Sequence, residues 1–144
     1  MEFSKKSIKV RSKIEELDDR GFGMGSPEVN EISLVGDYFY SDELIKLNYT
    51  ERGEQGEVKT EIFYEGGVVT VKRRGAIESE IRFAVGIEHS SVYSVAPYKF
   101  DMTVVPKRIN AALSSGGGEI DLFYNMKIGG AGKAVRMRIW IQPS

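Results

Sequence analysis

Apolar and polar residues alternate along most of this chain. The clearest stretch is Glu61–Phe83, EIFYEGGVVTVKRRGAIESEIRF, which reads as three strands joined by two tight turns. Gly66-Gly67 suits a two-residue hairpin turn, because both central positions accept positive φ. Pairing Glu65 with Val68 places Tyr64 opposite Val69 and Ile62 opposite Val71. Arg74-Gly75-Ala76 closes the second hairpin and sets Arg73 opposite Ile77. Side chains alternate across a strand, so Ile62, Tyr64, Val69, Val71, Ile77, Ile81 and Phe83 share one face. Lys59, Glu61, Lys72, Glu78, Glu80 and Arg82 occupy the other, giving an antiparallel meander with a dry side and a wet side.

The same period runs before and after it. Ser7–Leu17 is a first strand with Ile8, Val10 and Ile14 inward, and Asp18–Glu28 is loop by composition. Val29–Tyr40 turns Ile32, Leu34, Tyr38 and Tyr40 inward, with Gly36 marking a bend or bulge. Ile45–Glu51 follows, and Arg52–Glu57 is a polar hairpin loop. Ile87–Val95 carries His89, Ser91 and Tyr93 inward, and Ala96-Pro97 turns it into a strand with Tyr98, Phe100, Met102 and Val104 inward. Pro106 ends that strand or sits at an edge or bulge, since it has no N–H for a ladder. Ile109–Leu113 is a short run, and Ser114–Gly118 is loop. Glu119–Ile128 leads through Gly129–Gly132 to a last strand with Val135, Met137, Ile139 and Ile141 inward.

No amphipathic helix of useful length interrupts the series. A long antiparallel sheet removes its exposed edges by curling and closing. The expectation is therefore an all-β protein: a single antiparallel up-and-down barrel spanning 1–144, of roughly eight to ten strands. The 144 residues suit one domain. A net charge of -1 gives no global pull towards nucleic acid or anionic membrane. Without cysteine, neither a disulfide framework nor a thiolate metal site forms. The N-terminus, MEFSKKSIKVRSKIEEL, has no long apolar run, so a soluble cytoplasmic protein is expected.

Three blocks carry a family resemblance: VVTVKRRGAIESEIRF at Val68–Phe83, GIEHSSVYSVAPYKF at Gly86–Phe100, and GGGEIDLFYNMKI at Gly116–Ile128. In order and spacing, the chain from Glu43 onward resembles the YwiB-like family of small, uncharacterised bacterial proteins. The resemblance implies a calycin-type barrel, related in shape to lipocalins and fatty-acid-binding proteins, and implies no activity. Where the family tends to have a threonine-proline-tyrosine-glycine turn, this chain has Val95-Ala96-Pro97-Tyr98-Lys99. Lipocalins proper carry an early tryptophan, whereas the single tryptophan here is Trp140, on the last strand.

All seven tyrosines fall on the predicted inward face. Buried hydroxyls need partners, and several of them converging inside an apolar cup would orient a ligand's polar head. They would equally fill the barrel and bond to one another, to backbone or to trapped water. Arg73, at the mouth, suits a carboxylate or phosphate head, or else a rim salt bridge. His89, the single histidine, points inward as a proton switch, a ligand contact or a satisfied structural group. Tyr64, Arg73, His89, Tyr93, Tyr98 and Tyr124 are thus the candidate ligand-binding set. No catalytic set, cofactor or metal site follows, and GFGMGS at Gly21 lacks the strand-to-helix context of a phosphate loop. Lys9, Arg11, Lys13, Arg136 and Arg138 form a basic stripe if the first and last strands pair, with Glu31 and Asp121 placed to neutralise it.

Two functions compete. The first is a non-enzymatic binder of a small, partly apolar ligand inside the barrel. The second is a surface module for a protein or a polyanion such as RNA, with the barrel filled. A small amphipathic ligand is the expected partner, ahead of nucleic acid and without a membrane role, and a homodimer stays open.

Overall fold

The computed structural model describes residues 2–144, which form ten antiparallel strands and no helix. In chain order these are β1 (Ser4–Leu17), β2 (Gly23–Tyr40), β3 (Ile45–Gly53), β4 (Gly56–Glu65), β5 (Val68–Gly75), β6 (Ser79–Phe83), β7 (His89–Val95), β8 (Tyr98–Ser114), β9 (Gly117–Ile128) and β10 (Ala131–Pro143). They make one sheet in the order β6-β5-β4-β3-β2-β1-β10-β9-β8-β7, so each strand lies beside its chain neighbours and β1 meets β10. This is an up-and-down barrel, nearly closed. Its last joint, between β6 and β7, is held by paired 2.9 Å backbone hydrogen bonds between Glu78 and Ser94, and the strands diverge beyond them.

The first hairpin of the meander forms in the expected register: Glu65 faces Val68, and Ile62 faces Val71. Gly66 and Gly67 take φ of 58° and 79°. The second hairpin differs by two positions, with Arg73 opposite Ser79 rather than Ile77. β5 runs on to Gly75, which pairs with Val58 of β4 at φ 120°, and the turn back to β6 is correspondingly longer. Inward parity survives, because a shift of two preserves the face.

Several strands, β1, β2, β3 and β8 among them, are longer than the sequence suggested, because polar and glycine-rich segments are recruited as pairing partners, whereas β7 begins only at His89. β2 begins at Gly23 rather than Val29, and a bulge opposite Ile14–Glu16 absorbs Gly25 and Pro27. The two runs on either side of Pro106 are a single strand, β8, with a bulge between Pro106 and Arg108. Such a bulge admits a residue that cannot donate to the ladder. Gly36 is not a bulge. Its pairing with Lys6 is regular, and it sits where β2 and β3 part, so close to the Asn48 carbonyl that a Cβ would lie 2.7 Å from it.

The core is the inward set. Ile8, Leu47, Ile62, Val69, Phe83, Val104, Ile120, Leu122, Ile139 and Ile141 are all buried. Tyr98 and Phe100 are corrected: they share parity with Met102, but their hairpin reaches past the barrel. Tyr98 is therefore 64% exposed, its ring stacked on Phe100 at 6.5 Å. Ile87 is likewise outside, at 64% exposure.

Candidate functional site

The barrel's two ends differ. At the end carrying the termini and the β4–β5 and β8–β9 turns, the interior is filled with Ile8, Leu47, Ile62, Val69 and Ile141. Tyr38 crosses that end and donates a 2.8 Å hydrogen bond from its hydroxyl to the Ser114 carbonyl. Towards the β5–β6, β7–β8 and β9–β10 turns, the interior opens into a cavity of about 340 Å³. Its wall is largely apolar, with Val71, Phe83, Met102, Met126, Val135 and Met137 contributing.

Polar groups enter this wall in register. Along β5 the inward residues run Val69, Val71, Arg73; along β6, Phe83, Ile81, Ser79; along β10, Ile139, Met137, Val135, Lys133; along β1, Ile8, Val10, Ser12. On β5, β6 and β10 the step from apolar to polar falls at the same end of the barrel, whereas β1 returns to Ile14 after Ser12 and β9 stays apolar through Met126 and Ile128. Arg73 and Ser79 are direct cross-strand partners. Tyr93 from β7 and Tyr124 from β9 complete the polar lining.

The six sequence candidates therefore separate. Arg73, Tyr93 and Tyr124 come together around the cavity. Tyr64 is half-buried near the opposite end, paired with Ile45 and Val69 and packed on the core. His89 stands at the gap between β6 and β7, its Nε2 3.3 Å from the Glu80 carbonyl oxygen, where it stitches the joint rather than facing the cavity. Tyr98 is outside the barrel. Ser12, Ser79 and Lys133 line the cavity without having been nominated. The signal for them was the inward parity of polar residues on adjacent strands, which reads as a wall only once the register is known.

Electrostatics centre on Arg73. Its Nε is buried and makes no hydrogen bond, and Arg73 forms no ion pair among the described residues. Burial raises the Tyr124 and Tyr49 hydroxyls from 10.0 to about 12, and in both cases the Arg73 charge opposes the rise. Tyr49 also feels Glu51, which raises it. Neutral phenols beside a guanidinium, in a wall of methyl and methylene groups, can orient a polar head group. They offer no nucleophile–base pair.

The basic stripe forms as expected and is partly paired: Lys9, Arg136 and Arg138 have acidic partners, while Arg11 and Lys13 make no ion pair among the described residues. β1 lies against β10 with Arg11 opposite Arg138 and Lys13 opposite Arg136. Arg136 binds Asp121 through two bonds of 3.2 and 3.0 Å, Arg138 binds Glu119 at 2.6 Å, and Lys9 lies 3.4 Å from Glu31. The Arg136 hydrogen bond holds the Asp121 carboxyl below its ordinary value. Lys9 and Arg138 also sit over the Trp140 ring, at 5.6 and 4.8 Å.

Comparison with known proteins agrees with this architecture. A family model described as a domain of unknown function, DUF1934, matches residues 8–139. The uncharacterised β-barrel protein YwiB of Bacillus subtilis is 30% identical over 123 residues, which cover 85% of this chain and 82% of YwiB. The crystal structure of ywiB protein from Bacillus subtilis superposes with a TM-score of 0.80 at 26% identity, covering 99% of this chain and 95% of that one.

Proposed function

The chain belongs to the DUF1934 family of YwiB-like β-barrel proteins, and from that premise we propose that it is a non-enzymatic binder of a small, partly apolar ligand held inside the barrel. The observation that carries this reading is the cavity itself. It is about 340 Å³, at the lower end of the 300–1,000 Å³ range of small-molecule sites, and joins an apolar wall to a few convergent polar groups. The surface-module reading draws less support, because Lys9, Arg136 and Arg138 already have acidic partners.

Native mass spectrometry on gently purified protein tests the proposal. The expected result is a non-covalent adduct that disappears on denaturation. Ile81 lines the cavity from β6, so Ile81→Trp should fill the space and lose the adduct while the barrel still unfolds cooperatively. A wild-type protein that carries no adduct and takes up no small amphiphile, or an adduct indifferent to Ile81→Trp, overturns it.

A further inference from the structure

We propose that the ligand is an anionic amphiphile, its carboxylate or phosphate head held by Arg73 and Lys133 and its tail lying on Val71, Met102 and Met137. This rests on the interior-ligand reading above and names the ligand's charge. Among the described residues, the cavity wall contains Arg73 and Lys133 and no carboxylate. Arg73 is half-buried, and a buried guanidinium nitrogen without an acceptor is costly, a cost that an anionic acceptor in the cavity would offset. Arg73 has one nitrogen buried without a partner, while Tyr49 and Tyr124, close enough to feel its charge, stay neutral below about pH 12.

The nearby acids do not supply the missing charge. Glu78 and Glu80 alternate with the inward Ser79 and lie on the outer side of β6, and Glu80 is 3.5 Å from Lys72. Glu16 stands across from Lys133 in the β1–β10 register but makes no ion pair with it. Arg73 is therefore the anchor, with Lys133 a second cation at the rim. Arg73 and Ser79 line both the cavity and an outer slot at the β6–β7 joint; Glu78 and Glu80 line that slot but not the cavity, and the Ser91 Oγ there is also buried without a partner. The guanidinium fork favours a planar or tetrahedral oxyanion over a hydroxyl.

A matched ten-carbon series tests this by calorimetry below micelle formation: decanoate, decyl phosphate, 1-decanol and decylammonium. Decanoate or decyl phosphate should bind about tenfold or more tighter than 1-decanol, as expected for charge-assisted hydrogen bonds. The order of the two acids identifies the head, and decylammonium should bind weakest. Arg73→Met should collapse the preference for acids while retaining 1-decanol binding, and Arg73→Lys should keep part of it. If 1-decanol binds wild type as tightly as the acids, the anionic inference falls and the interior-ligand reading stands. If no member of the series binds, both fall.

Discussion

The two ends of the barrel are built from the same ten strands and carry opposite interiors. At the end with the termini, the interior is packed with apolar side chains, Tyr38 has its hydroxyl satisfied by a backbone carbonyl, and Tyr40 and Tyr64 pack against that core. At the other end, the same alternation delivers Ser12, Arg73, Ser79 and Lys133 into an open space. Strand pairing accounts for the periodicity at both ends, but not for the chemistry at the second. A barrel selected only for stability would continue apolar residues to the rim on every strand, as β1 does with Ile14 and β9 with Ile128, since a buried, unpartnered guanidinium nitrogen opposes folding. The contrast separates a half that holds the molecule together from a half available to a ligand.

Truncation should show the contrast most strongly. Ile139 has no exposed surface and packs between Val10 and Ile120 in register. Ile139→Ala should cost about 3 kcal/mol, the middle of the range for large-to-small core changes. Met126, half-buried on the cavity wall, already borders empty space, so Met126→Ala should cost less, about 1 kcal/mol. Equal losses in urea unfolding would erase the distinction between the ends.

Alkaline unfolding comes next. The Tyr49 and Tyr124 hydroxyls lie above their free value of 10.0, so the folded barrel favours the neutral phenol. Their contribution is complete below pH 10 and is lost as pH rises through about 12, at about 2 kcal/mol per tyrosine by pH 12. Tyr124→Phe should remove one share of that loss, read as a smaller drop in unfolding free energy between pH 10 and pH 12. An unchanged drop would mean that Tyr124 ionises freely in the fold. At the packed end, Tyr38→Phe deletes the 2.8 Å bond to the Ser114 carbonyl and should cost about 1 kcal/mol at neutral pH, with no effect on ligand binding.

How much of this was readable beforehand follows from what alternation encodes. Period two gave the inward faces of Ile8, Ile62, Val69, Met102, Ile120 and Ile139 and hence the barrel, because one buried face fixes parity. It could not reveal where along a strand the barrel stops. Tyr98 therefore looked inward although its hairpin overshoots the sheet, and Tyr64 looked like a site residue although it lies towards the packed end. Nor could it align strands distant in sequence: Ser12 and Lys133 meet one wall only because β1 pairs with β10, a contact between the two ends of the chain. Arg73 was legible as a mouth residue because the hairpin containing it is local. The bulges at Pro27 and Pro106 show the same limit, since a proline rules out a regular ladder without saying whether the strand resumes.

The smallest expected change in stability bears most directly on the comparison. Arg73→Met removes a buried Nε that has no partner and keeps an unbranched stem against Val71 and Tyr124. Ordinary core arithmetic predicts a loss on truncating a large side chain. Here the volume is nearly conserved and the unpartnered buried Nε disappears, so the balance should be neutral or favour folding by up to about 1 kcal/mol. The same substitution should weaken retention of an acidic amphiphile. Stability held or gained while binding is lost is the pattern of a residue kept for function at the expense of folding. A loss of more than about 2 kcal/mol in urea unfolding of ligand-free protein would place Arg73 in the structural framework instead. The open end would then be a continuation of the core, and the two ends would differ in packing density alone.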